Sequence, residues 1–162
     1  MRRSEAALIV AAAVTAALMA AAVYLPDVGR GFVKDDFTWI RDAQATLAHP
    51  WSAITPKSPG FYRPLVTASF AFDYALHGLD ARGYGFSNFA MYVLCVAAIA
   101  WLLHEAGAKP AGIVLGTFAW ALNPHGINMA VVWLSGRTSL LLVLCSTLGL
   151  ISCLRGHRCR VR

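Results

Sequence analysis

Two adjacent acids, Asp35 and Asp36, stand shortly after the first long apolar run, in the stretch Gly31-Phe32-Val33-Lys34-Asp35-Asp36-Phe37. That placement holds carboxylates at a membrane surface, within reach of a lipid-linked substrate. A positioned carboxylate there can take a proton from a hydroxyl, a general-base role that supplies about 10²–10⁴-fold in rate. Neighbours on a helix point about 100° apart, so the two acids cannot easily serve one proton together. One as catalytic base and the other as cap or orienting group is the more economical division, and the sequence leaves open which is which. The same pair also suits a plain helix start with two capping acids.

Cations come next. Tyr62-Arg63-Pro64 presents a phenol and a guanidinium at the head of a helix, and arginine at a helix N-terminus makes a phosphate or pyrophosphate site. An interfacial arginine touching lipid head groups is the plainer use of Arg63. Arg137 lies between two apolar stretches, where an ionisable side chain either serves function or snorkels to the interface. Tyr62, Arg63 and Arg137 are therefore candidates for holding a donor phosphate. His125 and Asn128 follow the breaker Asn123-Pro124, where non-helical backbone must be buried or line a wet cavity. With Asn88 they are possible cavity-lining residues, although a satisfied structural histidine fits His125 as well. No metal-ligand spacing is present, and the four cysteines, none of them in the long loop, indicate no disulfide framework.

The elements that must position these residues belong to a membrane protein. Hydrophobic residues make up 58% of the chain and charged residues 14%, and the mean hydropathy is +0.57. A spanning helix needs about 20 mainly apolar residues. The pattern predicts an all-α integral membrane protein with about four spans, near 6–24, 86–104, 110–122 and 138–154, the third of them interrupted. Arg2, Arg3, Lys109, Arg155, Arg158, Arg160 and Arg162 flank one side with only Glu5 and Glu105 to oppose them. The other side is nearly balanced, so the excess of positive charge puts both termini in the cytoplasm. A cleaved leader, suggested by Ala20 and Ala22, would leave the loop on the same outer side. The net charge of +6 is thus a topology signal, and no basic, aromatic-interleaved surface supports nucleic-acid binding.

The long outer loop, 25–85, is predicted to carry two helices at the membrane interface. Phe37, Ile40 and Leu47 have helical spacing over Asp36 to Ala48, ended by His49-Pro50. A second helix starts at Pro64, a favoured first position, and runs to about His77 before Gly78. Trp39 and Trp51 suit the interface, where aromatic rings accumulate.

In order along residues 8 to 150, these features resemble the GT-C superfamily of membrane glycosyltransferases. The nearest likeness is to O-mannosyltransferase-like proteins that carry tetratricopeptide repeats after their membrane domain. It runs through Phe32-Val33-Lys34-Asp35-Asp36, Phe61-Tyr62-Arg63-Pro64-Leu65, Asp73-Tyr74, Gly78-Leu79-Asp80, Gly83-Tyr84, Asn88, Asn123-Pro124-His125 and Trp133-Leu134-Ser135-Gly136-Arg137-Thr138. The resemblance implies transfer of a sugar from a polyprenyl-phosphate donor to a hydroxyl acceptor outside a bacterial-type cytoplasmic membrane. It implies Asp35 and Asp36 as the diacidic catalytic site, and Arg63 and Arg137 as basic positions for the donor phosphate. No cofactor is implied.

The chain also departs from the family. Asn128 stands where an acid is common, and Gly85 and Tyr92 replace histidines often found in the second span. These changes bear on acceptor type and on metal dependence. Family members carry many more spans, so the chain reads as the N-terminal part of such an enzyme. The alternative is a non-catalytic four-span membrane protein, a remnant or small subunit that acts by helix packing.

Overall fold

Six helices and three short 3₁₀ turns make up most of the described backbone in the computed structural model, which describes residues 3–55, 62–124 and 131–160. The first helix, α1 (Arg3–Tyr24), has no charge after Glu5, and its alanines let neighbours approach closely. Ala12, Ala16 and Ala20, one turn apart, are its buried stripe. Pro26 sits in the 3₁₀ turn Leu25–Asp27 that ends it.

Next come α2 (Asp36–Ala48) and α3 (Pro64–His77), which pack face to face. Trp39 and Ala43 of α2 meet Val66, Phe70 and Ala71 of α3, with Tyr84 and Leu134 closing the cluster. Phe70 is fully buried between the rings of Trp39 and Tyr84, at 5.9 and 5.8 Å. Burial of a side chain of that size contributes about 1.5–3 kcal/mol. Gly78, at a positive φ of 58°, stops α3 as its sequence position predicts.

The longest helix, α4 (Ala81–Glu105), starts on Asp80, whose side chain accepts a hydrogen bond from the Arg82 amide at 3.0 Å. That cap carries the helix through Gly83 and Gly85, ahead of the predicted span at 86. Gly85 is needed there, since a Cβ would come within 2.5 Å of the Val28 carbonyl oxygen. The two remaining helices are α5 (Pro110–Ala121) and α6 (Arg137–Arg160), the latter entered through the 3₁₀ turn Leu134–Gly136. Helix α6 continues past 154, the end of the predicted span. Glu105 accepts from Arg155 at 2.9 Å and from Arg158 at 3.2 Å, and these pairs accompany further turns of helix.

The protein is all-helical among the described residues, and three helical segments there are long and apolar enough to cross a membrane: Glu5–Asp27, Ala81–Glu105 and Leu134–Cys159. These make it a membrane-associated, multi-pass protein. The predicted, interrupted span at 110–122 corresponds to a shorter helix. The 12 residues of α5 rise only about 18 Å, against a hydrocarbon core of about 30 Å.

Where α5 stops, Tyr92 receives it. The Tyr92 hydroxyl, near the midpoint of α4, donates to the Ala121 carbonyl at 2.7 Å, and its ring stacks on Trp120 at 6.0 Å. The last four carbonyls of a helix lack intrahelical partners, and at membrane depth no water replaces them. Tyr92→Phe is expected to cost about 1 kcal/mol, read as a lower unfolding midpoint in detergent. An unchanged midpoint would show that the carbonyl finds another donor.

Candidate functional site

At the end of the bundle that carries α2 and α3, the N-termini of α3 and α6 converge on one cavity of about 490 Å³. Asp35 lies on one wall with Thr38 and Trp39 of α2. Arg63 and the run Trp133, Ser135, Gly136, Thr138 and Ser139 supply the rest. Arg63 is the N-cap residue of α3 with Pro64 behind it, so its guanidinium stands at the start of that helix. Its Nη1 donates to the Thr138 hydroxyl at 3.3 Å. Two helix N-termini, an arginine and hydroxyls together favour an anion. Asp35 adds a carboxylate to the same cavity.

The two acids have different surroundings. Asp35 is exposed, at the N-cap position of α2, and its side chain makes no capping hydrogen bond. Asp36 is 1% exposed and fully engaged. Its Oδ2 accepts from the Val33 amide at 2.8 Å, and its Oδ1 accepts from the Ser135 amide at 2.8 Å and from the Ser135 hydroxyl. The short connection into α2 is bent to allow this. Lys34 takes a positive φ of 50°, a conformation that costs a non-glycine residue about 1–2 kcal/mol. Asp36 thereby ties the start of α2 to the turn that opens α6.

Arg137 lies away from the cavity. The sequence makes it a donor-phosphate candidate, but it does not line the cavity, and its side chain is 0% exposed. Its guanidinium pairs with Asp73, donates from Nε to the Asn88 side-chain oxygen at 2.7 Å, and reaches the Tyr84 carbonyl at 3.3 Å. It also lies 4.4 Å from the centroid of the Phe70 ring. Asn88, expected to line a cavity, is likewise packed. It is 0% exposed, and its amide donates to the Leu134 carbonyl at 3.1 Å. Both residues are packed inside the protein and do not line the cavity. Tyr62 is 57% exposed and absent from the cavity wall. His125 and Asn128 lie outside the described residues.

Sequence reasoning gave no role to Asp73, Ser87, Thr138 or Ser139. Ser87 donates to the second Asp73 oxygen at 2.7 Å, completing the buried cluster around Arg137. A signal existed. Asp73 is the one acid in an otherwise apolar helix, and a lone charge in such a place calls for a partner. Thr138 and Ser139 carry no comparable mark, because hydroxyls at a helix start also serve as ordinary caps. The indole N–H of Trp133, beside the cavity, is buried without a partner among the described residues. Among those residues no three His, Cys, Asp or Glu side chains converge as metal ligands.

No family model, curated protein or solved structure matches this chain.

Proposed function

We propose that this chain acts in a membrane glycosyltransferase that moves a sugar from a polyprenyl-phosphate donor to a hydroxyl acceptor at the outer face of the cytoplasmic membrane. The observation that carries this reading is the shared cavity. It holds one uncommitted carboxylate side, Asp35, and an anion-favouring side made by Arg63 and the two helix N-termini. The positive-inside balance supports cytoplasmic termini and an outward cavity. In this reading α5 belongs to a further, interrupted pass, and α2 and α3 lie at the interface.

In the reaction Asp35 accepts the proton of the acceptor hydroxyl as the acceptor oxygen bonds to the sugar C1. The bond from C1 to the phosphate oxygen breaks, and polyprenyl phosphate leaves with the electron pair. Arg63 and the helix amides meet the charge that develops on the leaving phosphate, the electrostatic contribution that is usually the largest in such steps. Asp36, held by Ser135 and Val33, fixes the start of α2 so that Asp35 stays on the cavity wall.

A transfer assay in native membrane vesicles supplied with a radiolabelled polyprenyl-phosphate sugar tests the reading. Arg63→Ala is expected to lower transfer about 10²-fold or more, the scale seen when a charge-stabilising donor is removed. Undiminished transfer by that variant would remove Arg63 from the donor site. The packing reading draws on the buried cluster around Arg137, which joins three helices without reference to any substrate. It expects no transfer dependent on Asp35 or Arg63.

A further inference from the structure

We propose that the seam between α1 and α4 holds one anionic phospholipid of the bilayer, with its phosphate at Arg30 and Arg82 and one acyl chain in the groove beneath. This site is separate from the cavity that contains Asp35 and does not depend on the transfer reading. The groove has a volume of about 350 Å³, and its walls are Ala13, Ala17 and Ala21 of α1 facing Phe89, Val93 and Ala97 of α4. Ile9, Val10, Val14 and Leu18 of α1 line it as well, so the groove is apolar along its length.

Length selects the occupant. On α1 the groove extends from Ile9 to Ala21, about 18 Å at 1.5 Å per residue. One leaflet is half of a hydrocarbon core of about 30 Å, so a phospholipid chain fills the groove. A long polyprenyl chain would overrun it.

The headgroup end is a second pocket of about 460 Å³, bounded by the turn 25–30 together with Arg82 and Phe86. Leu25 is the next turn after Ala21, and Phe86 is one turn before Phe89, so pocket and groove continue one another. Arg82 lies back across Gly29, where an added Cβ would come within 3.0 Å of its Cγ and Nε. Asp27 pairs with Arg30 in the same wall, which leaves the pocket with one more cation than anion. A phosphate therefore shares Arg30 with Asp27 and takes Arg82 outright, and Asp27 is the competitor.

The full chain in detergent, titrated with dioleoyl phosphatidylglycerol or dioleoyl phosphatidylcholine and observed by native mass spectrometry, tests this. Phosphatidylglycerol is expected to bind about fivefold or more tightly than phosphatidylcholine. Replacing Arg30 and Arg82 with Ala together should erase the preference, and Asp27→Asn should increase it. All three side chains are exposed, so these variants keep the fold, with helical circular dichroism as the control. Ala17→Trp should weaken both lipids by filling the groove. Equal binding of the two lipids by the wild type, or a preference that survives loss of both arginines, overturns the headgroup site. Full retention of both lipids by a folded Ala17→Trp protein overturns the chain groove.

Discussion

Replacing Arg137 with Met is expected to destabilise the folded protein by about 3–5 kcal/mol, the cost of leaving one member of a buried ion pair alone. Asp73 would remain 1% exposed with only the Ser87 hydroxyl to satisfy it, and Asn88 would lose the donor that orients its amide. Arg137→Lys should recover little. A single ammonium cannot fan out to Asp73, Asn88 and the Tyr84 carbonyl as the guanidinium does. The double variant Arg137→Met with Asp73→Leu should regain most of the loss, because removing both charges also removes their desolvation. Reversible unfolding in detergent micelles, followed by circular dichroism, checks all three. If Arg137→Met shifted stability by no more than an exposed substitution does, about 0.5 kcal/mol, the buried cluster would not be holding α3, α4 and α6 together.

That cluster also marks the limit of what the chain discloses before it folds. The ends of α2 and α3 are local events. Asp36 and Ala48 bound one, between Asp35 and His49-Pro50, and Pro64 and His77 bound the other ahead of Gly78. Backbone preferences within a few residues are enough to set them. Apolar runs of the right length likewise announce α1, α4 and α6. The partner of Arg137 is another matter, since Asp73 lies 64 residues away and only the packing of α3 against α6 brings them together. Hydropathy alone points to a site or to snorkelling for Arg137 and says nothing of a partner inside the protein. Two helices run past the predicted spans for related reasons. Asp80 extends α4 at its start, and pairing with Glu105 accompanies the extension of α6 past Arg155. For α5, the apolar pattern over 110–122 gives no sign that a tyrosine on another helix meets its last carbonyls.

Asp35 and Asp36 are adjacent and chemically identical, yet their Asn variants are expected to fail in opposite ways. Asp35→Asn keeps the shape and removes the proton acceptor. Its exposed position and unbonded capping geometry leave stability within about 0.5 kcal/mol of the wild type. Sugar transfer should fall about 10²–10⁴-fold, the usual contribution of a general base. Asp36→Asn is chiefly a folding defect. An Asn amide can still accept from Ser135 with its oxygen, but its nitrogen then faces the Val33 amide, so donor meets donor. Losing a hydrogen bond to a charged group costs about 1.5–3 kcal/mol, and the positive φ at Lys34 would lose the contact that holds it. The two variants separate on a plot of transfer against unfolding midpoint, one losing rate at constant stability and the other losing stability first. A lipid environment that restores folding should restore much of the transfer in Asp36→Asn and none in Asp35→Asn. Full transfer by Asp35→Asn would remove Asp35 as the base, and with Asp36 buried and committed, neither acid could then serve.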